Sequence, residues 1–383
     1  MNAYLDNSAT TRPTDGVIEA MALSMRDGYF NPSSQYAPAL EAEKAIRACR
    51  EAVARAVGAQ PENVYFTSGG TEANNLSILG SMAARRAPAR VAVSATEHPS
   101  VLAAYDELRA QGFEVAVLPV DREGQLDWGA LDAELSKGPA LVSAMQVNNE
   151  TGALLDVARF ASRVRALAPD ALIHVDGVQG FLRVPFSIRG VDFYTLSGHK
   201  LHGPKGIGAL VMGGNARVHV KPRQLGGGQE KGLRSGTENT PGIAGLCRAI
   251  GEMQSLGDVQ AILREKKLRL WAAIREAAPQ AVVFGPAPEG GAPHILNVGF
   301  PGVRGEVMLH ALEGDGVYVS TGSACSSKKR KVSPVLLAMG IPAEDAECAI
   351  RFSLSPRTTD GEIDYAAERA GAQYAVLSKF WRR

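Results

Sequence analysis

Between Val64 and Met212 short apolar runs alternate with amphipathic stretches long enough for a helix. The runs are Val64-Tyr-Phe-Thr, Arg90-Val-Ala-Val-Ser, Glu114-Val-Ala-Val-Leu, Ala140–Val147, Ala171-Leu-Ile-His-Val-Asp176, Val191–Leu196 and Ala209–Met212. Helical patterns separate most of them, the first opening at Ser68-Gly-Gly-Thr and reaching Ala84, the others at Val101–Gln111, Leu126–Ser136 and Val157–Ala168. Parallel strands need a crossover between them, and a helix is the usual one. The alternation therefore predicts an α/β fold with a mostly parallel sheet.

The flanks differ. Helices are expected at Asp15–Arg26 and over 39–57, where Ile46, Cys49, Val53 and Val57 form one apolar stripe. A long helical region, Pro241–Ala278, precedes a last third of mixed type, with Cys247 expected in its core face. Strands at His294–Phe300, Val317–Ser320 and Ile350–Leu354, a helix at Gly305–Glu313 and a terminal helix from Glu362 suggest a smaller α+β domain. The extended lead-in around Ala3–Asn7 is expected to pack on it.

Composition excludes several classes of function. The net charge of +1 offers no field for nucleic acid or an anionic membrane surface. No apolar window reaches the length of a membrane span, and Met1–Asp6 does not resemble a secretory signal. Cys49, Cys247, Cys325 and Cys348 have no paired spacing, so neither a disulfide framework nor a metal site is expected, and a cytoplasmic location fits.

Open α/β sheets bind ligands beyond the carboxyl ends of their strands, and here those ends carry polar residues. Ser68-Gly-Gly-Thr offers bare backbone at a helix start, suited to a phosphate, though Thr71 capping the helix with Asn74 and Asn75 in solvent fits equally well. His98 follows the second strand and Asn149 the fourth. Asp176 ends a buried strand, where a carboxylate is costly without a donor or cation. Lys200, in Ser197-Gly-His-Lys, leaves a strand on a tight Gly-bounded loop, a setting for a lysine that must form a Schiff base. Pyridoxal phosphate requires such a lysine, an acidic partner for its ring nitrogen and a phosphate cup. Neither Gly-x-Gly-x-x-Gly nor Gly-x-x-x-x-Gly-Lys-Ser/Thr occurs, which removes the common nucleotide-binding readings.

Motifs spread over nearly the whole chain carry a family resemblance. They are Tyr4-Leu-Asp-Asn-Ser-Ala-Thr-Thr, Phe66-Thr-Ser-Gly-Gly-Thr-Glu-Ala-Asn-Asn, Glu97-His98, Val147-Asn-Asn-Glu-Thr-Gly and His174-Val-Asp-Gly-Val-Gln. Ser197-Gly-His-Lys, Arg234-Ser-Gly-Thr-Glu-Asn, Gly322-Ser-Ala-Cys-Ser-Ser and Arg351-Phe-Ser-Leu complete the series. The chain resembles the cysteine desulfurases of the NifS/IscS-like group, fold-type I pyridoxal-phosphate enzymes. The resemblance implies a large domain, residues 16–245, on a mostly parallel seven-stranded sheet. It implies a small domain made of residues 1–15 and 246–383.

By the same resemblance Lys200 is the Schiff-base lysine, Asp176 faces the pyridine nitrogen, Asn149 and Gln179 reach the ring oxygen, and His98 stacks on the ring. Gly70, Thr71, Ser197 and His199 hold the phosphate, and Thr237 reaches the phosphate of a neighbouring subunit, which implies a homodimer. Arg351, with Asn149, takes the substrate carboxylate, and Cys325 is the nucleophile that carries a persulfide to an acceptor or iron–sulfur scaffold protein. Independently, Cys325 lies among small polar residues just before the basic run Lys328–Lys331, which favours a thiolate. A selenocysteine lyase, an aminotransferase of the same fold and an inactive assembly platform remain alternatives. The division of protons between Lys200 and His98 stays open. Ser353-Leu-Ser-Pro-Arg departs from the family's shorter Ser-Leu-Gly-Arg and is expected to alter the backbone after Arg351.

Overall fold

The computed structural model describes residues 1–214, 218–321 and 332–380. Cys325 and the basic run Lys328–Lys331 lie outside the described residues.

The chain opens with a short strand β1 (Ala3–Tyr4) and helices α1 (Asp15–Arg26) and α2 (Ala37–Val57). Then come β2 (Val64–Thr67), α3 (Gly70–Ala83), β3 (Arg90–Ser94), α4 (Pro99–Ala110), β4 (Glu114–Leu118) and α5 (Trp128–Leu135). The alternation continues through β5 (Leu141–Met145), α6 (Val157–Leu167), β6 (Leu172–Asp176), β7 (Phe193–Ser197) and β8 (Gly208–Met212). These strands form one sheet in the order β2-β8-β7-β6-β5-β3-β4. All neighbours from β7 to β4 run parallel, while β8 is antiparallel to both β7 and β2. This is the mostly parallel α/β sheet that the sequence predicts. The strands β5 and β7 are buried along their whole length, which explains their near-continuous apolar sequence.

The long helical region is two helices, α7 (Thr240–Ser255) and α8 (Val259–Ala277), rather than one. Gly257 takes a left-handed φ of +76°, which ends the first helix cheaply because glycine has no Cβ to clash. Asp258 then caps α8 by accepting from the Ala261 N–H. Cys247, expected in the core, is only half-buried. The fully buried Cys49 thiol of α2 neighbours it, and the interaction between the two thiols pushes Cys247 down to about 7.

The remaining elements are β9 (Val282–Val283), β10 (Ile295–Gly299), α9 (Gly305–Gly314), β11 (Val317–Tyr318), α10 (Pro334–Ala338), α11 (Ala343–Ala346), β12 (Ala349–Ser353) and α12 (Asp360–Leu377). Strands β12, β10 and β9 make an antiparallel sheet. A capping box fixes the start of α12, with Thr359 and Glu362 each satisfying the other's backbone N–H. The lead-in packs on this region as expected. Strand β1 pairs in parallel with β11, and residues 5–8 run beside β12, where Asn7 N donates to Ser353 O and Ser353 N to Leu5 O. It then crosses to the other sheet: Thr11 N–H bonds the His199 carbonyl at 2.9 Å. Two segments 188 residues apart are thereby tied over the carboxyl ends of β6 and β7.

Candidate active site

Asp176 is the last residue of β6 and lies opposite Thr195 of β7, so the turn that carries Lys200 begins beside it. Its carboxylate is buried, and its oxygens accept from Val178 N at 3.0 Å and from Asn74 Nδ2 at 2.8 Å. These are the donors that burial of a carboxylate demands. Lys200 stands in a single 3-10 turn, Gly198–Lys200, straight after β7. Its Nζ donates to the backbone carbonyls of Ser8 and Ala9 in the lead-in. These two carbonyls tie the lysine to the lead-in and give it a defined position.

The N-terminus of α3 faces the same end of the sheet. Gly69 precedes it and no side chain caps it, so the first-turn N–H groups of Gly70 and Thr71 are free for an anion. Thr71 is itself in the first turn, not at the cap. A Cβ on Gly70 would stand 2.5 Å from Val178 Cγ2, so only glycine lets the helix sit this close to the residues that follow Asp176. Ser197 is buried at the end of β7. His199 follows it, its Nδ1 3.1 Å from Thr10 Oγ1. Burial, reinforced by Lys200, Lys205 and Arg183, pushes His199 down to about 4.

His98 caps α4: its Nδ1 accepts from the Ser100 N–H at 3.1 Å. Burial lowers its pKa, the Asp176 carboxylate opposes that shift, and Lys200 adds to it. The ring is therefore neutral near pH 7. With Nδ1 accepting, its proton is on Nε2.

Asn149 sits in the turn after β5. The neighbouring Asn148 does the structural work of that turn, its Oδ1 accepting from Glu150 N, Thr151 N and Thr151 Oγ1. The Asn149 side chain is partly exposed, and its carbonyl accepts from Arg351 Nη1 at 2.9 Å. Gln179 donates to Ser8 O and accepts from Arg183 Nη1, both at 2.9 Å. One amide hydrogen of Gln179 is left over. Arg183 also reaches the Lys200 carbonyl and is wholly buried, which lowers it to about 10.

Arg351, on β12, is 4% exposed. Its Nη2 pairs with Asp6 Oδ1 at 2.6 Å, and its Nε is buried without a partner among the described residues. The guanidinium is thus aimed by the lead-in and keeps an unsatisfied edge. Thr237 is exposed on the segment before α7. Downstream of Arg351, the Ser355–Thr358 turn is closed by Ser355 N to Thr358 Oγ1, and Ser355 Oγ lies 2.7 Å from His202 Nε2. The extra residues there make a pinned turn and leave Arg351 in its strand.

Several contributors were not legible as such. Asp6 lies inside a quoted motif, yet nothing local marks it as the partner of a residue 345 positions away. Asn74, one expected reading of which was solvent exposure, is 1% exposed. Glu97 is buried beside His98. One oxygen accepts from Met145 N and the other has no partner among the described residues. Burial, with the Asp176 charge nearby, raises it well above the carboxylate range.

The donor set fits pyridoxal phosphate. It has an uncapped helix N-terminus for the phosphate, a buried carboxylate with neutral donors for the ring nitrogen, and an amine at the neighbouring strand end.

Comparison with known proteins agrees. The family model described as Aminotransferase class-V matches residues 3–366. A cysteine desulfurase from Nostoc sp. is 39% identical over 369 residues, covering 95% of this chain and 91% of that one. The solved structure of a NifS-like protein superposes with a TM-score of 0.88 at 34% identity, covering 98% of this chain and all of the other. That of SspA in complex with cysteine gives 0.81 at 29% identity, over 93% of this chain and 100% of its own. With the motifs, the sheet order and the strand-end site in agreement, the chain belongs to the aminotransferase class-V family, among its cysteine desulfurases.

Proposed function

We propose that this chain removes sulfur from L-cysteine, yielding L-alanine and a persulfide on Cys325, with pyridoxal phosphate bound at the strand ends. The observation that supports it most is the pairing of Asp176 and Lys200 at neighbouring strand ends beside the bare N-terminus of α3. Lys200 would hold the cofactor covalently, Asp176 its ring nitrogen, and Asn149 and Gln179 its ring oxygen, with His98 on its face. Gly70, Thr71, Ser197 and His199 would hold its phosphate, with Thr237 supplied from a second copy of the chain. When bound, the group supplies an aldehyde that links to amines and a ring that accepts electrons.

The remaining steps belong to the protein. Arg351 takes the substrate carboxylate on its unsatisfied edge, in the fork geometry that guanidinium provides. Lys200 moves out from the Ser8 and Ala9 carbonyls and removes the Cα proton. His98, neutral with its proton on Nε2, acts as a donor rather than as the base. The Cys325 thiolate would form an S–S bond as the substrate C–S bond breaks, its electron pair passing to Cβ, and a proton taken up at Cβ with the one returned to Cα leaves alanine. L-cysteine as substrate is supported by the names of the relatives, one of which was solved with cysteine.

Borohydride reduction of the cofactor-loaded protein followed by peptide mapping tests the assignment. The label is expected on Lys200, and Lys200→Ala should bind the cofactor only non-covalently. Label on another lysine refutes the site.

A further inference from the structure

Asn74 has no part in the scheme above, yet its amide makes four side-chain hydrogen bonds, one of them to Asp176. It lies on α3 and is 1% exposed. Its Nδ2 is 2.8 Å from Asp176 Oδ2 and 2.9 Å from Ser100 Oγ. Its Oδ1 is 2.7 Å from Thr195 Oγ1 and 3.1 Å from His174 Nε2. Strands β6 and β7 and helix α4 therefore converge on one amide of α3.

The chemistry of the partners fixes the protons from Asp176 to Ser143. A carboxylate only accepts, so the Asn74 atom beside Asp176 must be the NH2 group. Its Oδ1 then accepts from the Thr195 hydroxyl and from His174, whose neutral ring must carry its proton on Nε2. Full burial keeps that ring neutral, pushing His174 down to about 4. His174 Nδ1 is left as an acceptor and takes the Ser143 hydroxyl at 3.1 Å. Ser143 Oγ, its own proton spent on His174, accepts from the Tyr105 hydroxyl at 2.8 Å, and that hydroxyl's single proton is shared with the Ala92 carbonyl at 2.9 Å.

The second Asn74 hydrogen runs the other way. It goes to Ser100 Oγ, which then donates to His98 Nδ1 at 2.8 Å. The same nitrogen already accepts the Ser100 N–H. The two amide hydrogens thus go to Asp176 directly and toward His98 through one hydroxyl.

We propose that Asn74 is a positioning residue that orients Asp176 and His98 together, at the centre of a directed hydrogen-bond relay from Tyr105 through Ser143 and His174. The inference rests on the reading of Asp176 and His98 as cofactor contacts. In a buried chain of this kind the bonds strengthen one another, and removing the hub leaves Asp176, Thr195 and His174 each short of a partner. The relay sets geometry from behind the site and needs no contact of Asn74 with substrate.

The test compares Asn74→Ala with Asp176→Asn in the cofactor-loaded enzyme. The measurements are cofactor retention on dialysis, the pH midpoint of the visible absorbance, and kcat and KM separately. For Asn74→Ala we expect kcat to fall about 30-fold, the scale of one hydrogen bond to a charged group. KM for L-cysteine should stay within about threefold, since Arg351 is untouched. The absorbance midpoint should move by about half a pH unit, and cofactor should be lost faster. A folded Asn74→Ala protein with the parent's midpoint, retention and kcat overturns the proposal. Should that variant fail to fold, Thr195→Val decides. It removes one donor to Oδ1 at constant volume, so a moved midpoint supports the relay and an unmoved one overturns it. If Asp176→Asn itself leaves spectrum and turnover unchanged, the reading of the site fails. If Asp176→Asn loses turnover while Asn74→Ala does not, only the positioning role fails.

Discussion

Replacing Asp6 by asparagine isolates the electrostatics of the substrate end. In the folded chain Arg351 is paired with Asp6 at 2.6 Å, so the proposed carboxylate clamp is neutralised by the protein itself. Asp6→Asn keeps an oxygen for Nη2 and removes one negative charge. A substrate carboxylate on the opposite edge of the guanidinium would lie about 7 Å from Asp6. With an effective dielectric constant of about 40 for this half-open site, two like charges there repel by about 1.2 kcal/mol. Removing one of them should lower KM for L-cysteine by nearly tenfold. The gain should shrink as salt is raised from about 10 to about 500 mM, since the Asp6 side chain is partly exposed. Steady-state sulfide release against cysteine concentration at two ionic strengths measures it. A KM unchanged at low salt refutes the electrostatic reasoning. A KM that rises at both ionic strengths shows instead that Asp6 is needed to aim Arg351.

Two further outcomes follow from other groups. Glu150 is buried against Ser333, and burial raises it to about 7. Its native form therefore holds a proton between about pH 4.5 and 7 that the unfolded chain has released, so it costs stability as pH rises through that window, up to about 3 kcal/mol. Glu150→Gln should remove this slope, raising Tm at pH 8 relative to wild type but not at pH 4.5; parallel Tm–pH curves for the two proteins would contradict it. Cys325→Ser should still bind cofactor through Lys200 yet show no adduct of about 32 Da after one turnover with cysteine, the mark of a covalent intermediate. An adduct that survives this substitution moves the nucleophile elsewhere.

The sheet was legible because its strands are short, apolar and separated by helices whose own periodicity is clear. The boundaries of β2, β3 and β4 coincide with the apolar runs themselves. The region 241–278 was not divided because its apolar spacing continues through Leu256. The break comes from the backbone of Gly257 and the cap at Asp258, which periodicity does not weigh. In the proposed site, the strand-end positions of Lys200, Asp176, Asn149 and His98 could be read because polar residues after a buried strand stand out locally. Asp6 and Asn74 could not. Each owes its place to partners distant in sequence, 345 positions for Asp6 with Arg351 and 102 for Asn74 with Asp176, and neither interrupts a local pattern. Thr237 poses the opposite problem, since its proposed partner belongs to a second chain.

The crossing of residues 6–11 over the strand ends has a consequence for the order in which the enzyme matures. On the ribosome, Asp176 and Lys200 emerge well before β12, and the sheet that carries them has all its strands by Met212. Yet Asp6, Asn7 and Ser8 find Arg351 and Ser353 only after some 345 further residues have been made. Closing so long a loop late is slow compared with local pairing. A nascent chain could therefore hold its lysine and aspartate in place while still lacking the clamp for a substrate carboxylate. Synthesis itself would separate cofactor capture from the onset of sulfur chemistry, so that an unfinished chain releases no sulfide.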